Sequence, residues 1–401
     1  MLERVRYLEL LKGFKDKDLI KAVTGVRGCG KSTLFDLFID YLKEMGVKDE
    51  QIIKINLEDP DYNFVNYKDF YDFVNGKITK DKKYYVFLDE VQTVPLFQKA
   101  VDGLYIKKNV DVYITGSNAY LLSGELATLL SGRYVEIKML PLSFREYLSN
   151  FDNKEKSRYE YFLDYMKIGG MPGNLSIIRD NVNSLDMYLE GIFTTVVYKD
   201  IMTRNNISDK LLIESILKFI FDSIGSPIST KRISDTLTSK GLSTSNHTVE
   251  NYISAFLDSY LIYKAERFDV KGKNLLVRDY KYYVVDQGLR SYLLGKRADS
   301  DMGHILENIV YLELLRRGYT VYVGKVDDLE IDFVAQNRDG LRYYQVALSV
   351  RDEKVLEREL RSLQRTGDHY PKYLLTLDMD LKADYEGITK ISVVDWLLNG
   401  E

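Results

Sequence analysis

The chain has 401 residues, which predicts two or three domains, each large enough to bury a core. Its 56 Lys and Arg residues against 60 Asp and Glu residues give a formal charge of −4, which excludes a uniformly basic nucleic-acid coat protein but not a local basic face. A lone cysteine, Cys29, excludes an intrachain disulfide and a multi-cysteine zinc site. The N-terminal residues lack the features of a secretory signal, and no uncharged apolar run is long enough for a membrane span. We therefore expect a cytoplasmic protein of a reducing compartment with no membrane contact.

The first 140 residues alternate short apolar runs with amphipathic stretches. The apolar runs lie at residues 19–25, 51–57, 84–90, 111–117 and 133–140. This rhythm predicts an α/β fold with a mostly parallel sheet, which we assign to residues 1–140.

The remainder of the chain changes pattern three times. Residues 141–206 are helical, interrupted by IGGMPG at 168–173, for which a helix-to-helix connection is favoured over a ligand site. Residues 207–285 carry three helical segments and two strand-like runs, which predicts a winged-helix domain. Residues 286–401 begin with a helix followed by strand-like runs, which predicts a second, smaller α/β domain.

A glycine loop of the Walker A type follows the first apolar run. Gly25, Gly30, Lys31 and Ser32 fit the pattern GxxxxGKS and stand between a strand and a helical segment. Backbone N–H groups of such a loop surround phosphate oxygens, the lysine neutralises the β and γ phosphates, and the serine ligates Mg²⁺. The predicted ATP-binding residues are Gly25, Arg27, Gly28, Cys29, Gly30, Lys31, Ser32 and Thr33.

A Walker B pattern ends the apolar run at residues 84–90. Asp89 is predicted to hold Mg²⁺ through water, together with Ser32, and Glu90 to orient or deprotonate the attacking water. An acid directly after the Mg²⁺ aspartate favours hydrolysis over a small-molecule kinase. Because no NKxD guanine signature occurs, the favoured nucleotide is ATP.

Two further groups are candidates for sensing the γ phosphate. The next strand ends in Thr115, Ser117 and Asn118, which act either as sensors or as parts of a simple turn. Arg133 precedes a strand, where it either contacts the γ phosphate of its own or a neighbouring subunit or forms a structural salt bridge. The residues alone leave both questions open.

Several motifs together resemble one family of prokaryotic ATPases. They include GVRGCGKSTL, VFLDEVQTVPLF, ITGSNAYLLSGELATLLSGRYVEIKMLPLSFREYL, IGGMPG and GHILENIVYLELLRRGY. The chain is similar over nearly its whole length to AAA-type ATPases whose C-terminal half is the domain of unknown function DUF4143. The resemblance implies a P-loop ATPase that uses ATP and Mg²⁺. Its sheet would have an additional central strand, and its site a catalytic glutamate. The chain departs from the pattern at Gly28 and Cys29, where relatives often carry a second arginine.

A local excess of basic residues follows the third helix of the predicted winged helix. Residues 262–281 contain six basic and three acidic side chains: Lys264, Arg267, Lys271, Lys273, Arg278 and Lys281 against Glu266, Asp269 and Asp279. Lys264, Arg267, Lys271 and Lys273 are the predicted contacts to DNA phosphates. A protein-docking module and a solvated charged hairpin remain alternatives.

The last domain resembles the restriction-endonuclease-like PD-(D/E)XK fold. Glu307, Asp332 and Gln345 occupy the places of its metal-binding acids, but Gln345 replaces an acid and Ala347 replaces the lysine. That chemistry requires carboxylates for Mg²⁺ and a lysine for the attacking water. We therefore expect a degenerate site without nuclease activity, unless Lys325 or Lys354 substitutes for the lysine.

These patterns combine into one expectation with two alternatives. The favoured function is an ATP-hydrolysing AAA-type ATPase whose nucleotide state controls a C-terminal module that binds DNA. The alternatives are a DNA-binding or protein-docking regulator with ATP as a structural ligand, and an active ATP-dependent nuclease. The sequence leaves open whether the target is duplex DNA, RNA or a protein, and whether the chain forms a homo-oligomer.

Overall fold

The computed structural model describes residues 4–119, 132–151, 155–180, 184–205, 207–295 and 301–400. The chain divides into two compact units. The first is Met1–Leu140 with Asp258–Tyr260, and the second is Pro141–Leu257 with Leu261–Glu401. Among the described residues, no helix is both long enough and apolar enough to cross a membrane.

The first unit contains a five-stranded parallel sheet. Its strands are β1 (Ile20–Thr24), β2 (Ile52–Asn56), β3 (Tyr84–Asp89), β4 (Val110–Gly116) and β5 (Tyr134–Lys138), in the order β2-β3-β4-β1-β5. Every residue of β1, β3 and β4 is buried, as expected for parallel strands covered on both faces. The prediction of an α/β domain with a parallel sheet is confirmed.

Among the described residues of the first unit, four helices accompany this sheet: α1 (Val5–Phe14), α2 (Lys31–Glu44), α3 (Tyr67–Asn75) and α4 (Phe97–Tyr105). On one face, Phe35 and Phe38 of α2 pack against the rings of Phe87 and Tyr113. On the other face, apolar residues of α3 and α4 share a buried core with β3 and β4. This packing holds β4 between β1 and β3, so that the carboxyl ends of these three strands meet at one edge of the sheet.

The second unit begins with helices. They are α5 (Phe144–Leu148), α6 (Arg158–Ile168), α7 (Pro172–Asp180), α8 (Leu185–Thr195), which continues as a π-helix over Val196–Thr203, and α9 (Lys210–Asp222). Ser143 and Ser157 begin α5 and α6 with capping boxes completed by Glu146 and Glu160.

The connection between α6 and α7 is tightly packed. The N–H of Gly170 donates to the Asp286 carboxylate at 2.6 Å, and a Cβ on Gly169 would lie 2.4 Å from the same carboxylate. Burial raises the pKa of Asp286 to about 6, against the opposing effect of its backbone hydrogen bonds. The IGGMPG segment therefore connects two helices around a buried carboxyl group.

The rest of the second unit forms a nine-stranded mixed sheet with accompanying helices. The elements are β6 (Pro227–Ile228), α10 (Thr230–Ser239), α11 (Asn246–Asp258), β7 (Ile262–Asp269), β8 (Asn274–Val284), α12 (Gln287–Leu294), α13 (Met302–Arg316), β9 (Thr320–Val326), β10 (Leu329–Asn337), β11 (Gly340–Ala347), α14 (Glu353–Gln364), β12 (Lys372–Thr376), β13 (Ala383–Tyr385), β14 (Ile388–Ser392) and α15 (Val393–Asn399).

The strand order is β13-β14-β12-β11-β10-β9-β7-β8-β6. Strand β7 pairs antiparallel with β8 and parallel with β9, in a register that places Arg267 beside Val323. The strands assigned to the winged helix and to the last α/β domain thus belong to one sheet. The domain boundaries predicted near residues 206 and 285 both fall inside the second unit.

Candidate nucleotide site and the lysine-centred cluster of the second unit

The loop between β1 and α2 depends on glycine. Gly25, Gly28 and Gly30 have φ values of 151°, 80° and 101°, a region that other residues rarely adopt. A Cβ on Gly25 would lie 2.2 Å from the carbonyl oxygen of Met139. The loop leads directly into α2, whose first turn carries the exposed Ser32 and the partly buried Thr33. This arrangement provides a cradle for phosphate groups at a helix N-terminus.

Lys31 lies buried at the centre of this cradle. Its Nζ donates to the carbonyl oxygens of Gly25, at 3.0 Å, and Val26, at 3.4 Å. The same nitrogen lies 3.4 Å from Oε1 of Glu90. The predicted phosphate-binding cation and the predicted base therefore meet in one buried ion pair.

Glu90 follows β3 in a left-handed conformation, with a φ of 53°. Its N–H donates to Oγ1 of Thr115 at 2.9 Å, and the Thr115 hydroxyl donates to the buried carboxylate of Asp89. Burial tends to raise the pKa of Glu90, but the charge of Lys31 and a hydrogen bond from Gln92 hold it below its usual value. The carboxylate is therefore ionised at neutral pH.

The predicted sensor residues lie beside these acids. Thr115 anchors both Asp89 and Glu90, while Ser117 and Asn118 are buried just beyond β4. The three residues belong to the edge of the sheet where the phosphate loop also lies.

Gln92 is a site residue that the sequence analysis missed. Its Nε2 donates to Oε2 of Glu90 and lies 3.4 Å from Oγ of Ser117, which joins the ends of β3 and β4. Its Oε1 is buried and has no hydrogen-bond partner among the described residues. The only sequence signal is that Gln92 stands two residues after Glu90.

Arg27 turns toward an acid of the neighbouring loop. Its two terminal nitrogens each lie 3.0 Å from an oxygen of Glu58, in a paired contact. Arg27 also contributes to the lowered pKa of Glu90. In this arrangement the guanidinium predicted to contact phosphate is held by Glu58.

Arg4 is a second residue that the sequence analysis missed. It is 2 % exposed, and its guanidinium donates to the carbonyl oxygens of Cys29, at 2.8 Å, and Leu140. Cys29 is itself fully buried, and burial raises the pKa of its thiol. Cys29 thus forms part of the wall of the loop, which Arg4 fixes to the end of the sheet.

Arg133 lies at the amino edge of the sheet, opposite to the edge where it would contact a γ phosphate of its own subunit. Its carbonyl oxygen accepts the N–H of Ile20, at the start of β1, and its side chain donates to Asp102. The phosphate loop begins after Thr24, about 13 Å further along β1. The prediction that Arg133 contacts a γ phosphate held by its own loop is therefore wrong, and the contact seen is the salt bridge. A role toward a neighbouring subunit stays a prediction.

The predicted DNA-binding cations of β7 and its turn are largely paired. Lys264 lies 3.0 Å from Glu266, and Arg267 lies 3.7 Å from Glu330. Since β7 is an interior strand of the sheet, these side chains are partly buried. At the turn, Lys271 contacts Asp327 at 2.7 Å but remains exposed, as does Lys273.

The predicted degenerate nuclease residues come together in the second unit. Oδ2 of Asp332 accepts the N–H of Val346 at 2.8 Å, and the N–H of Asp332 lies 3.4 Å from Oε1 of Gln345. Oε1 of Glu307, on α13, accepts the hydroxyl of Tyr283 at 2.6 Å. In the described ranges of the chain, no group of three or more His, Cys, Asp or Glu residues is arranged to hold a metal ion.

A buried lysine occupies this cluster. Nζ of Lys281, from β8, lies 3.2 Å from Glu307 and 2.7 Å from Glu330, and its side chain is 4 % exposed. Burial acts to lower the pKa of Lys281, but the surrounding carboxylates raise it above its usual value. Burial and the charge of Glu307 raise the pKa of Asp332 well above its usual value. The lysine beside these acids is therefore Lys281, which the sequence groups with the basic residues of the wing, and not Lys325 or Lys354.

Two proteins resemble the chain along almost its whole length. An uncharacterized protein of Haemophilus influenzae is 41% identical over 402 residues, which cover 99% of each chain. The uncharacterized protein MJ1544 of Methanocaldococcus jannaschii is 30% identical over 400 residues, which cover 94% of this chain and 85% of the relative. The chain belongs to the family of these two proteins.

Two parts of this chain match known domain families. Residues 17–148 match the AAA domain family AAA_14, which confirms the predicted P-loop domain of the AAA type. Residues 159–300 match a domain of unknown function, DUF8612, so the predicted DUF4143 domain is wrong. The quoted motifs of the second half are a connection between two helices and one largely buried helix, and such patterns recur in unrelated domains.

A solved structure shares the fold of this family member. The Walker-type ATPase PABY2304 of Pyrococcus abyssi superimposes with a TM-score of 0.51 over 73% of this chain and 96% of its own. The two sequences are 14% identical, so the similarity concerns the fold alone.

The Lys281 cluster makes a testable contribution to stability. We expect Lys281→Met to lower the free energy of unfolding by about 3–5 kcal/mol, because it leaves buried carboxylates without their cation. Urea unfolding followed by the fluorescence of Trp396, the chain's one tryptophan, reports on the second unit, in which this residue is fully buried. The control, Lys325→Met, removes an exposed lysine and is expected to change the free energy by less than about 0.5 kcal/mol.

A second variant keeps the test decisive if the first folds poorly. Lys281→Met combined with Glu307→Gln removes one carboxylate charge with the cation and is expected to recover part of the loss. A Lys281→Met protein as stable as the wild type would contradict the proposed role of this ion pair.

Proposed function

We propose that the chain binds ATP with Mg²⁺ and hydrolyses the β–γ phosphoanhydride bond. The observation that carries this proposal is the contact of Lys31 and Glu90 beside the glycine loop. A cation for the phosphates and a carboxylate for the attacking water thus stand together at the carboxyl edge of a parallel sheet.

The residues of the loop fit a nucleotide triphosphate. Lys31 is held by one carboxylate and two neutral carbonyl oxygens, so the more highly charged β and γ phosphates can replace these partners. Ser32 and Asp89 would hold Mg²⁺, with Asp89 acting through water. The bound ion would neutralise charge on the β and γ phosphates.

Glu90 supplies the base in this mechanism. The oxygen of water bonds to the γ phosphorus, the bond to the bridging oxygen of ADP breaks, and the water proton passes to the Glu90 carboxylate. When Lys31 turns to the phosphates, the cation that lowers the pKa of Glu90 moves away, so the carboxylate becomes a stronger base. Gln92 and Thr115 keep Glu90 at the end of β3 during this change of partners.

We place DNA binding in the second unit. Helices α9, α10 and α11, followed by the β7–β8 hairpin with β6 beside β8, have the element order of a winged helix. The order α13-β9-β10-β11-α14-β12 agrees with the proposed restriction-endonuclease-like part. Nuclease activity is not proposed, because Ala347 replaces the required lysine and Lys281 pairs with the acids.

The nucleotide state of the first unit is proposed to control DNA binding by the second. Phosphate release from ATP, measured with and without duplex DNA at fixed low salt, tests this coupling. We expect DNA to raise turnover severalfold, and the Lys31→Ala protein to show no turnover under either condition. An ATP turnover rate that is the same with and without saturating DNA would contradict the coupling.

The main alternative is a DNA-binding regulator that keeps ATP as a structural ligand. Glu90 favours hydrolysis over this alternative, because its ionised carboxylate lies beside the lysine that would hold the γ phosphate. The regulator would gain support from tight ATP binding without phosphate release.

A further inference from the structure

Four basic residues form a row along one face of α14. At 100° per residue they fall within about 60° around the helix, and they span about 16 Å along its axis. The residues are Lys354, Arg358, Arg361 and Arg365, the last at the end of the helix. On the opposite face, Leu360 and Leu363 are buried in the core of the second unit. The fold therefore presents the basic row to solvent.

The row is exposed and only partly compensated by acids. The side chains of Arg358 and Arg365 are 72% and 51% exposed, and they lie near Glu359 and Asp328. Lys354 and Arg361 are also exposed, and neither forms an ion pair within the described part of the chain. Two positive charges of the row are thus available to an outside partner.

The row continues into the turn between β7 and β8. Arg365 lies 3.7 Å from Asp328, and the neighbouring Asp327 lies 2.7 Å from Lys271. Lys273 is exposed at the same turn. We call the combined surface the basic ridge, and its members are Lys354, Arg358, Arg361, Arg365, Lys271 and Lys273.

We propose that the basic ridge binds the phosphate backbone of duplex DNA without reading its sequence. The inference rests on the DNA-binding part of the proposed function and names the surface that contacts DNA. Over the 16 Å of the row, a duplex presents about nine phosphate charges in regular order, and arginine forks match phosphate oxygens. The chain as a whole carries a formal charge of −4, so a linear basic surface directs a polyanion to one place.

The ridge fits this partner better than the strand cations predicted from sequence. Lys264 and Arg267 are partly buried and paired with acids of the same sheet. The nearest exposed acid of α14, Glu357, lies about 40° to one side of Arg361. On this face of α14 the four exposed cations of the row outnumber the exposed acid beside them.

The test measures binding of a labelled duplex to the full chain by fluorescence anisotropy over a salt series, both without nucleotide and with Mg²⁺ and a non-hydrolysable ATP analogue, because the nucleotide state is proposed to control DNA binding. The variant Lys354→Glu with Arg361→Glu reverses the two unpaired cations. We expect at least tenfold weaker binding and a salt slope smaller by about two, since each lost phosphate contact lowers the slope by about 0.9.

A matched control carries the same change of net charge elsewhere. Lys68→Glu with Lys108→Glu reverses two exposed lysines of the first unit and is expected to bind DNA within about twofold of the wild type. Equal weakening by the control and the ridge variant would show an effect of net charge alone and overturn the proposal.

The remaining outcomes distinguish failure of the ridge proposal from failure of the proposed function. Wild-type binding that the ridge variant retains overturns the ridge but leaves DNA binding in place. Undetectable wild-type binding in both nucleotide states overturns the ridge and DNA binding together and leaves the ATPase proposal untouched. If poly-glutamate displaces DNA at equal charge concentration, the partner of the ridge is an acidic protein, and the DNA proposal is overturned.

Discussion

Glu90→Gln is expected to lower ATP turnover by a factor of about 100 to 10,000 while ATP remains bound. The amide keeps the size of the side chain but cannot accept the proton of the attacking water. It also removes the negative charge beside Lys31, so we expect ATP affinity to stay within a few-fold of the wild type or to rise. Phosphate release measures the first effect, and titration with a fluorescent ATP analogue measures the second.

The matched control for this substitution is Glu50→Gln, which makes the same chemical change at an exposed position of the first unit. It should leave turnover and affinity unchanged. Turnover of Glu90→Gln within twofold of the wild type would show that Glu90 is not the base and would favour the structural-ligand alternative.

Lys31→Ala is expected to weaken ATP binding by at least 100-fold. The lysine is the proposed side-chain cation for the β and γ phosphates, and the buried position of its Nζ makes the contact strong. Titration with the fluorescent analogue measures the loss, and Lys68→Ala, at an exposed position of the same unit, serves as the control.

Removing Lys31 also leaves Glu90 buried without its cation, which lowers stability independently of ATP. The double variant Lys31→Ala with Glu90→Gln removes both charges and is expected to fold better than Lys31→Ala while still failing to bind ATP. Wild-type affinity in either folded variant would contradict the assignment of the loop.

The local parts of the nucleotide site could be predicted because each lies within a few residues of a strand end. The glycine loop and the Asp89–Glu90 pair are contiguous in sequence, and the carboxyl ends of parallel strands meet at one edge. The side chains that support them come from elsewhere in the first unit. Arg4 and Glu58 reach the loop through tertiary packing, which no local pattern encodes.

The error at Arg133 has a simple physical reason. Residues that precede a parallel strand lie at the amino edge of the sheet, whereas the phosphate loop follows β1 at the carboxyl edge. Strand direction alone was therefore enough to exclude a contact within the chain.

The second unit was harder to predict because its sheet joins distant strands. Pairing of β7 with β9 brings Lys281 of β8 to Glu307 and Glu330, which follow it by 26 and 49 residues. A lysine in a basic stretch of sequence gave no sign that it is buried among carboxylates. The basic residues of α14 repeat at helical spacing, but they were not predicted as a surface, because their exposure follows only from the packing of the helix.

Single-turnover hydrolysis tests the central claim most directly. Protein in excess over radiolabelled ATP, with Mg²⁺, reports the chemical step without depending on product release. We predict conversion of bound ATP to ADP and phosphate by the wild type, and conversion slower by a factor of about 100 to 10,000 by Glu90→Gln. ATP that is bound by the wild type but remains intact over many minutes would contradict the account.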